Sequence, residues 1–352
     1  MLWPRTPGQP LIAALSRWLD DTILELGREM RISYLPPLMV YMAAGISGLT
    51  AIVGTFFVKD YLDLSAEFLA ALGFWMNIPW SLKMPFGHLV DLIWRWKSLL
   101  VILGASLIAV SLLIMIGLLT DRAAMAAVMP INAWFVLSTL LAPVGYMMQD
   151  SVADAMTVEA VPHVDDQGRP VDAARLKLMH TTMQTLGRVA IIGGTILVAL
   201  VNLVVFSSAE LGTEAARAAV YREIYSMALA IPLISVAGIV VAMIARRRQQ
   251  QKLLAGGVSP EEIRKIQRQV VEQTAPNWWI LGGGLAFVVF TLAMGFSQYA
   301  YNQEVIFAGS LAIVAFLIVR LTRELSAEAR QTLIATAIII FVFRAVPATG
   351  PG

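Results

Sequence analysis

Residues Ile78–Lys97 read I-P-W-S-L-K-M-P-F-G-H-L-V-D-L-I-W-R-W-K. The stretch begins apolar and ends in a charged turn, with two prolines, a lysine, a glycine and an aspartate between. On both sides of it the chain is mostly apolar and helical in pattern. A soluble helix carries polar residues along one whole face, whereas here they collect toward one end. That is the pattern of a helix leaving a membrane.

Composition points the same way. Of the 352 residues, 58% are hydrophobic and 14% are charged, and mean hydropathy is +0.72. Soluble domains carry about 25% charged residues. A domain of this length cannot bury so much apolar side chain away from water, so the class is an all-α polytopic membrane protein. Strands are not expected, because open sheet edges cannot sit in lipid. Cysteine is absent, which excludes a disulfide frame, a thiol nucleophile and a Cys-ligated metal.

Apolar runs fall at 34–57, 68–90, 98–119, 124–148, 189–206, 225–245, 278–296, 305–319 and 332–343. A transmembrane helix needs about 20 residues; the run 305–319 reaches that length with Tyr301–Gln303. The last run meets A-T-G-P-G, so further helices are expected after Gly352, the chain here ending after about nine. Residues 1–33 read as a cytoplasmic segment. In it Leu11, Leu15, Leu19, Ile23, Leu26 and Met30 recur at helical spacing among charges, as in a helix lying on the membrane face or simply solvated.

Lysine and arginine set the orientation. With the N-terminus cytoplasmic, 20 of the 26 basic residues lie in cytoplasmic segments and four outside: Lys59, Arg122, Arg217 and Arg222. Arg188 and Arg344 are left within the spans. Residues 34–245 then form a six-helix half, and 246–276 form a basic cytoplasmic linker, in which Ser259 and Pro260 open a short helix as N-cap and first residue. Residues 277–320 form a transmembrane hairpin, and 321–352 begin a second half. The expected location is a bacterial inner membrane.

Ionisable residues at membrane depth are costly and are functional candidates. Asp150 and Asp154, four apart, share a face of the fourth helix. Arg188 precedes the apolar run 189–206 at similar depth, which predicts an ion pair with Asp150 or Asp154. Such a cluster serves as a proton relay, a substrate contact or a structural lock. Arg344 lies 14 residues beyond Arg330, about 20 Å of helix, well inside the hydrocarbon. An anionic substrate is the simplest reason for it; a salt bridge to a helix outside this sequence is the other. Pro347, Gly350 and Pro351 predict a broken helix, of the kind that lines a binding cavity. The pair Gly193–Gly194 and the run Gly282, Gly283 and Gly284 suit close helix packing. The three histidines are scattered and no phosphate-binding loop is present, so neither ATP hydrolysis nor a metal site is expected, and the chain reads as a non-enzyme that needs no cofactor.

The segment Gly87-x-x-x-Asp91-x-x-x-Arg95-x-Lys97 resembles the loop between helices 2 and 3 of the major facilitator superfamily, although Trp94 stands where a turn glycine is usual. Within that superfamily the chain is similar to the folate–biopterin transporters. The similarity lies in V-Y-M-A-A-G-I-S-G-L (Val40–Leu49), F-F-V-K-D-Y-L-D-L-S (Phe56–Ser65) and I-P-W-S-L-K-M-P-F-G-H-L-V-D (Ile78–Asp91). It extends through D-S-V-A-D-A-M-T-V-E (Asp150–Glu159) and F-R-A-V-P-A-T-G-P-G (Phe343–Gly352). Pro79, Trp80, Lys83, Gly87 and Asp91 match the family's block; its proline is displaced to Pro85, and Val90 replaces its serine.

The resemblance implies a superfamily-like helical bundle and a proton-coupled secondary transporter of folate- or pterin-like anions. By it, Asp91, Arg95, Lys97 and Gly87 would form a conformational latch. Asp150 and Asp154 would be proton-linked, and Lys83, Arg188 and Arg344 would meet substrate or interhelical carboxylates. It also implies that 277–320 is an insert between two halves, the rival being that 278–296 is helix 7 of twelve. A second reading is a membrane assembly or pigment-delivery factor for a photosynthetic complex; a third is a carrier of another organic anion. The implied partners are a small organic anion, protons and the bilayer, with no nucleic acid.

Overall fold

The computed structural model describes residues 30–58, 62, 64–165, 167–208, 213–263, 265, 275–297 and 299–345. The N-terminal segment expected to lie on the membrane falls outside them, as do Pro347, Gly350 and Pro351. The described residues are almost entirely helical, and the one β-bridge joins Val164 to Pro170. Among the described residues, seven helical segments are long and apolar enough to cross a membrane: Ile32–Phe57, Trp94–Thr120, Ile131–Ala160, Ala173–Phe206, Glu214–Ala255, Trp278–Gly295 and Asn302–Leu321. The chain thus has the make-up of an all-α membrane protein. It divides between Thr274 and Ala275 into two compact units.

In the first unit the helices are α1 (Leu35–Ile46), α2 (Ala51–Phe57), α3 (Ala66–Ser81), α4 (Lys83–Leu92), α5 (Lys97–Thr120), α6 (Arg122–Val128), α7 (Ile131–Ala160), α8 (Ala173–Ser208), α9 (Glu214–Ala228) and α10 (Ala230–Ala255). The structure corrects three expected runs, and proline accounts for each. The run 68–90 is two helices that meet at Leu82. Pro85 has no N–H to give the Ser81 carbonyl, and its ring crowds that carbonyl. α3 therefore ends at Ser81, where the Leu82 N–H turns back to Pro79, and α4 starts at Lys83. The run 124–148 is likewise divided. The short α6 is capped by the Asp121 carboxylate on the Ala124 N–H, Met129 is extended, and α7 starts after Pro130. Further on, Pro232 leaves the Ala228 carbonyl without its usual donor, and the helix steps from α9 to α10 at Leu229.

Three kinds of contact hold the first unit together. The first is close backbone approach through glycine: Gly104 of α5 faces Gly145 of α7, and Gly45 of α1 faces Gly194 of α8. The second is polar bonding between helices. Ser111 and Ser138 exchange hydroxyl-to-carbonyl bonds of 2.7 and 2.9 Å. Buried Gln149 donates to the Val101 carbonyl at 3.3 Å and accepts from the Ser235 hydroxyl at 3.0 Å, so that α7 is bonded to both α5 and α10. Such bonds matter in a bilayer, where lipid tails are as apolar as the side chains and drive little association. The third is an apolar core that includes Ile46, Phe57, Ile108, Met115, Phe135, Tyr221, Ile224 and Ile231. α7 is central and touches α5, α1, α3 and α4; α8 packs chiefly on α1 and only slightly on α7.

After α10, Ser259 caps a helical turn beginning at Pro260, as the sequence predicts: its hydroxyl accepts from the Glu262 N–H at 3.2 Å, and the Glu262 carboxylate accepts in return from the Ser259 N–H and hydroxyl. The second unit holds the hairpin α11 (Trp278–Gly295) and α12 (Asn302–Leu321), followed by α13 (Ala327–Ala345). Gly283 admits Leu317 and Gly309 admits Phe290 at the hairpin's seam. Trp279 packs on Phe316 and lies under the Arg320 guanidinium, 4.9 Å from the ring centroid. Most of its large apolar side chains face outward.

The two adjacent glycines of α8 give a direct test of glycine packing. A Cβ at Gly194 meets Gly45 backbone atoms at 2.8 Å, whereas at Gly193 it meets nothing within 4 Å. Gly194→Ala is expected to destabilise the first unit by about 1–3 kcal/mol through overpacking. Gly193→Ala is expected to be neutral or to stabilise by up to about 1 kcal/mol. Unfolding midpoints in detergent distinguish the two.

Candidate functional site

The break at Leu82 makes Lys83 the first residue of α4, where that helix lies against α7. Its ammonium bonds the Asp150 carboxylate and reaches Asp154 Oδ2 at 2.7 Å. From α1, the Tyr41 hydroxyl donates to Asp154 Oδ1 at 2.5 Å. One cation therefore sits between two carboxylates four residues apart on one face of α7, and a phenol closes the group from a third helix. Asp150 lies ten residues, about 15 Å of helix, before the end of α7 at Ala160. Its side chain is only 14% exposed, against 48% for Asp154 and 37% for Lys83. Asp154 is thus the more exposed of the two carboxylates and holds two donors, while Asp150 is the better buried one.

The ion pair predicted for Arg188 is made by Lys83 instead. Arg188 is at a suitable depth, but α8 leans on α1 rather than on α7. The direct bond from α8 to α7 is Gln184 Nε2 to Thr157 Oγ1, at 3.2 Å. Arg188 forms no ion pair among the described residues, is exposed, and lies near enough for its charge to act on Asp150 and Tyr41. It is also mid-helix: α8 runs unbroken from Ala173 to Ser208. Arg344 belongs to α13 in the second unit, and its side chain lies outside the described residues.

The predicted latch residues separate. Lys97, buried at the start of α5, bonds Glu159 near the end of α7 and lies 3.8 Å from the centroid of the Trp94 ring. Glu159 also pairs with Arg246 of α10. A cation at a helix N-terminus opposes the helix dipole, and the carboxylate and the ring offset that cost. Arg95 instead stacks on Trp96, 5.2 Å from the ring centroid. Asp91 is exposed, with the charge of His88 reaching it. Gly87 has open space where a Cβ would be, so packing in the described residues does not require a glycine there.

Sequence reasoning missed Tyr41, Glu159's two cations and the Gln149–Ser235 bond. Tyr41 carried one signal: its ring is buried in an apolar helix, and a buried phenol seeks an acceptor.

No family model, curated protein or solved structure matches the chain.

The pairing is testable through stability. Lys83→Met leaves two carboxylates facing each other without their cation and is expected to cost about 2 kcal/mol. Lys83→Met/Asp150→Asn is expected to recover most of that loss. Arg188→Met, which breaks no ion pair, is expected to stay within about 0.5 kcal/mol of wild type. Chemical unfolding of the three variants in detergent measures this, and a larger loss for Arg188→Met than for Lys83→Met would overturn the assignment.

Proposed function

We propose that the protein is a proton-coupled secondary transporter of an organic anion of the folate or pterin class, working by alternating access in a fold like that of the major facilitator superfamily. The observation that carries this reading is the Tyr41–Lys83–Asp150–Asp154 group built on α7, a helix long and apolar enough to cross a membrane, with Arg188 near it. Intramembrane charges of this kind mark substrate paths and proton relays. The sequence resemblance supplies the substrate class and the role of the helix 2–3 loop.

In this reading the charges also explain the coupling. Lys83 and Arg188 balance Asp150 and Asp154, so the group is neutral when all four are ionised. Each negative charge of an arriving anion upsets that balance, and a proton on Asp154 offsets one of them. Protonating Asp154 also frees one side of Lys83, so that Lys83 and Arg188 can together meet a substrate carboxylate. Anion and proton are then better bound together than apart, which is the thermodynamic requirement for symport. By the sequence resemblance 277–320 would be an insert between halves, with Arg344 in the second of them. On the face rich in basic residues, the Lys97–Glu159–Arg246 group would hold the ends of α5, α7 and α10 as the halves rock. That face would be cytoplasmic, in a bacterial inner membrane.

Uptake of labelled folate by cells expressing the full-length gene, with and without a proton gradient, tests the reading. Wild type is expected to concentrate substrate only with the gradient. Asp154→Asn is expected to lose gradient-driven accumulation while retaining substrate exchange, and Arg188→Ala is expected to raise the half-saturating concentration about tenfold, the loss of about 1.4 kcal/mol of binding. No uptake across a panel of folates and pterins would overturn the substrate class. Equal accumulation by Asp154→Asn would overturn the coupling role.

A further inference from the structure

A second cluster of cations lies outside the intramembrane group, at the basic face of the first unit. A cavity of about 570 Å³ opens there, between the residues leading into α1, the loop after α7, the first turns of α8 and the end of α10. That volume is in the range of small-molecule sites. Its cationic lining is Arg31, Arg175, Arg248 and Lys252, brought from three separate segments. Arg31, Arg175 and Arg248 form no ion pair among the described residues. Its floor is apolar and buried, with Ala160, Met179 and Leu253.

The lining has one carboxylate, Asp165, and that group is engaged by its own loop. It accepts from the N–H groups of Gln167 and Arg169 at 2.9 Å each and from Arg169 Nε at 2.8 Å. The Arg169 backbone N–H above all holds its pKa below the usual carboxylate range, so it stays ionised. The loop carrying it is closed by the Val164–Pro170 bridge and turns at Gly168, whose φ is +77°. A Cβ at Gly168 would meet the Val258 side chain at 2.9 Å, so the loop sits against the segment after α10. The cavity wall is therefore built by the fold, not by chance contact of long side chains.

Four cations around a concave, partly apolar site are more than the positive-inside rule requires, since that rule places charge near the membrane without gathering it round a cavity. Guanidinium forks from different directions match the oxygens of a phosphate. Basic pockets between helix ends take phosphate-bearing groups, including lipid headgroups. We infer that this cavity is a phosphate-binding site that joins the end of α10 to the start of α8 and the entry to α1. The phosphate comes either from an anionic lipid headgroup or from a soluble phosphate compound. The inference rests on the cavity and does not depend on what the protein transports.

Purified full-length protein in a neutral detergent is titrated with inorganic pyrophosphate, and in parallel is placed in phosphatidylcholine nanodiscs with and without phosphatidic acid. Binding is read by calorimetry in the first arm and by the shift in melting temperature in the second. Saturable binding in either arm, weakened at least about tenfold in Arg175→Ala/Arg248→Ala and by added salt, supports the site. Arg247→Ala removes a charge next to the cavity but not lining it and is expected to bind as wild type. A response to pyrophosphate identifies a soluble source, and a response to phosphatidic acid alone identifies a headgroup. Should the double variant fail to fold, the single variants Arg175→Gln and Arg248→Gln, each expected to weaken binding about threefold, replace it. No saturable binding in either arm, or equal weakening by Arg247→Ala, overturns the inference.

Discussion

Two aspartates four residues apart on an apolar helix repel each other, and a bilayer gives little solvent to screen them. α7 can carry Asp150 and Asp154 at depth only if a cation reaches both. Lys83 does so because α3 and α4 are two helices. An unbroken helix would carry the chain past that position in one direction, but Pro85 denies the Ser81 carbonyl its donor and the backbone turns at Leu82. The broken helix and the charge group are thus one feature. The proline places the lysine, and the lysine offsets the repulsion between two neighbouring acids, one of them half-buried. Tyr41 then gives Asp154 a second donor, which fixes α1 against the same face.

Much of this was legible in the sequence, and what was not has a physical cause. Apolar runs and the skew of lysine and arginine reveal spans and sidedness because both follow from solvent transfer, which acts residue by residue. They also give depth, which is why Asp150, Asp154 and Arg188 stood out; Lys83 counts with the cytoplasmic charges and stood out through the family resemblance. Neither signal says which helices touch. Arg188 and Asp150 share a depth on consecutive antiparallel helices, yet α8 packs on α1 through Gly45 and Gly194. Those glycines were visible, but their partner was not, because close approach needs a matching small residue on a helix far away in the chain. The breaks at Leu82 and Leu229 follow from the carbonyl four residues before each proline. That rule is local, but a proline is often absorbed without a break, as Pro143 is in α7. Tyr41 was hidden for a related reason: a tyrosine in an apolar helix is ordinary until an acceptor is known to face it.

The contacts of α7 differ in what can undo them. Its seam with α5 is made by Gly104 against Gly145, by the Ser111–Ser138 exchange and by Gln149. None of these depends on the ionisation of a side chain, and a proton added to the site leaves them intact. The contact with α3 and α4 is different. Of the described residues in those two helices, Leu72, Pro79 and Val90 are the buried apolar ones, and Lys83 supplies the ion pairs. Neutralising Asp154 removes one of those pairs and leaves the other, between Lys83 and Asp150. The bundle therefore combines a fixed seam, α5 with α7, and a seam whose strength varies with the charge state of one exposed carboxylate. Glu159 lies on the same α7, five residues beyond Asp154, and holds Lys97 and Arg246 at the basic face. The two charge groups on α7 are thus about 8 Å of helix apart, Asp154 bonded to Lys83 and Tyr41 and Glu159 to Lys97 and Arg246.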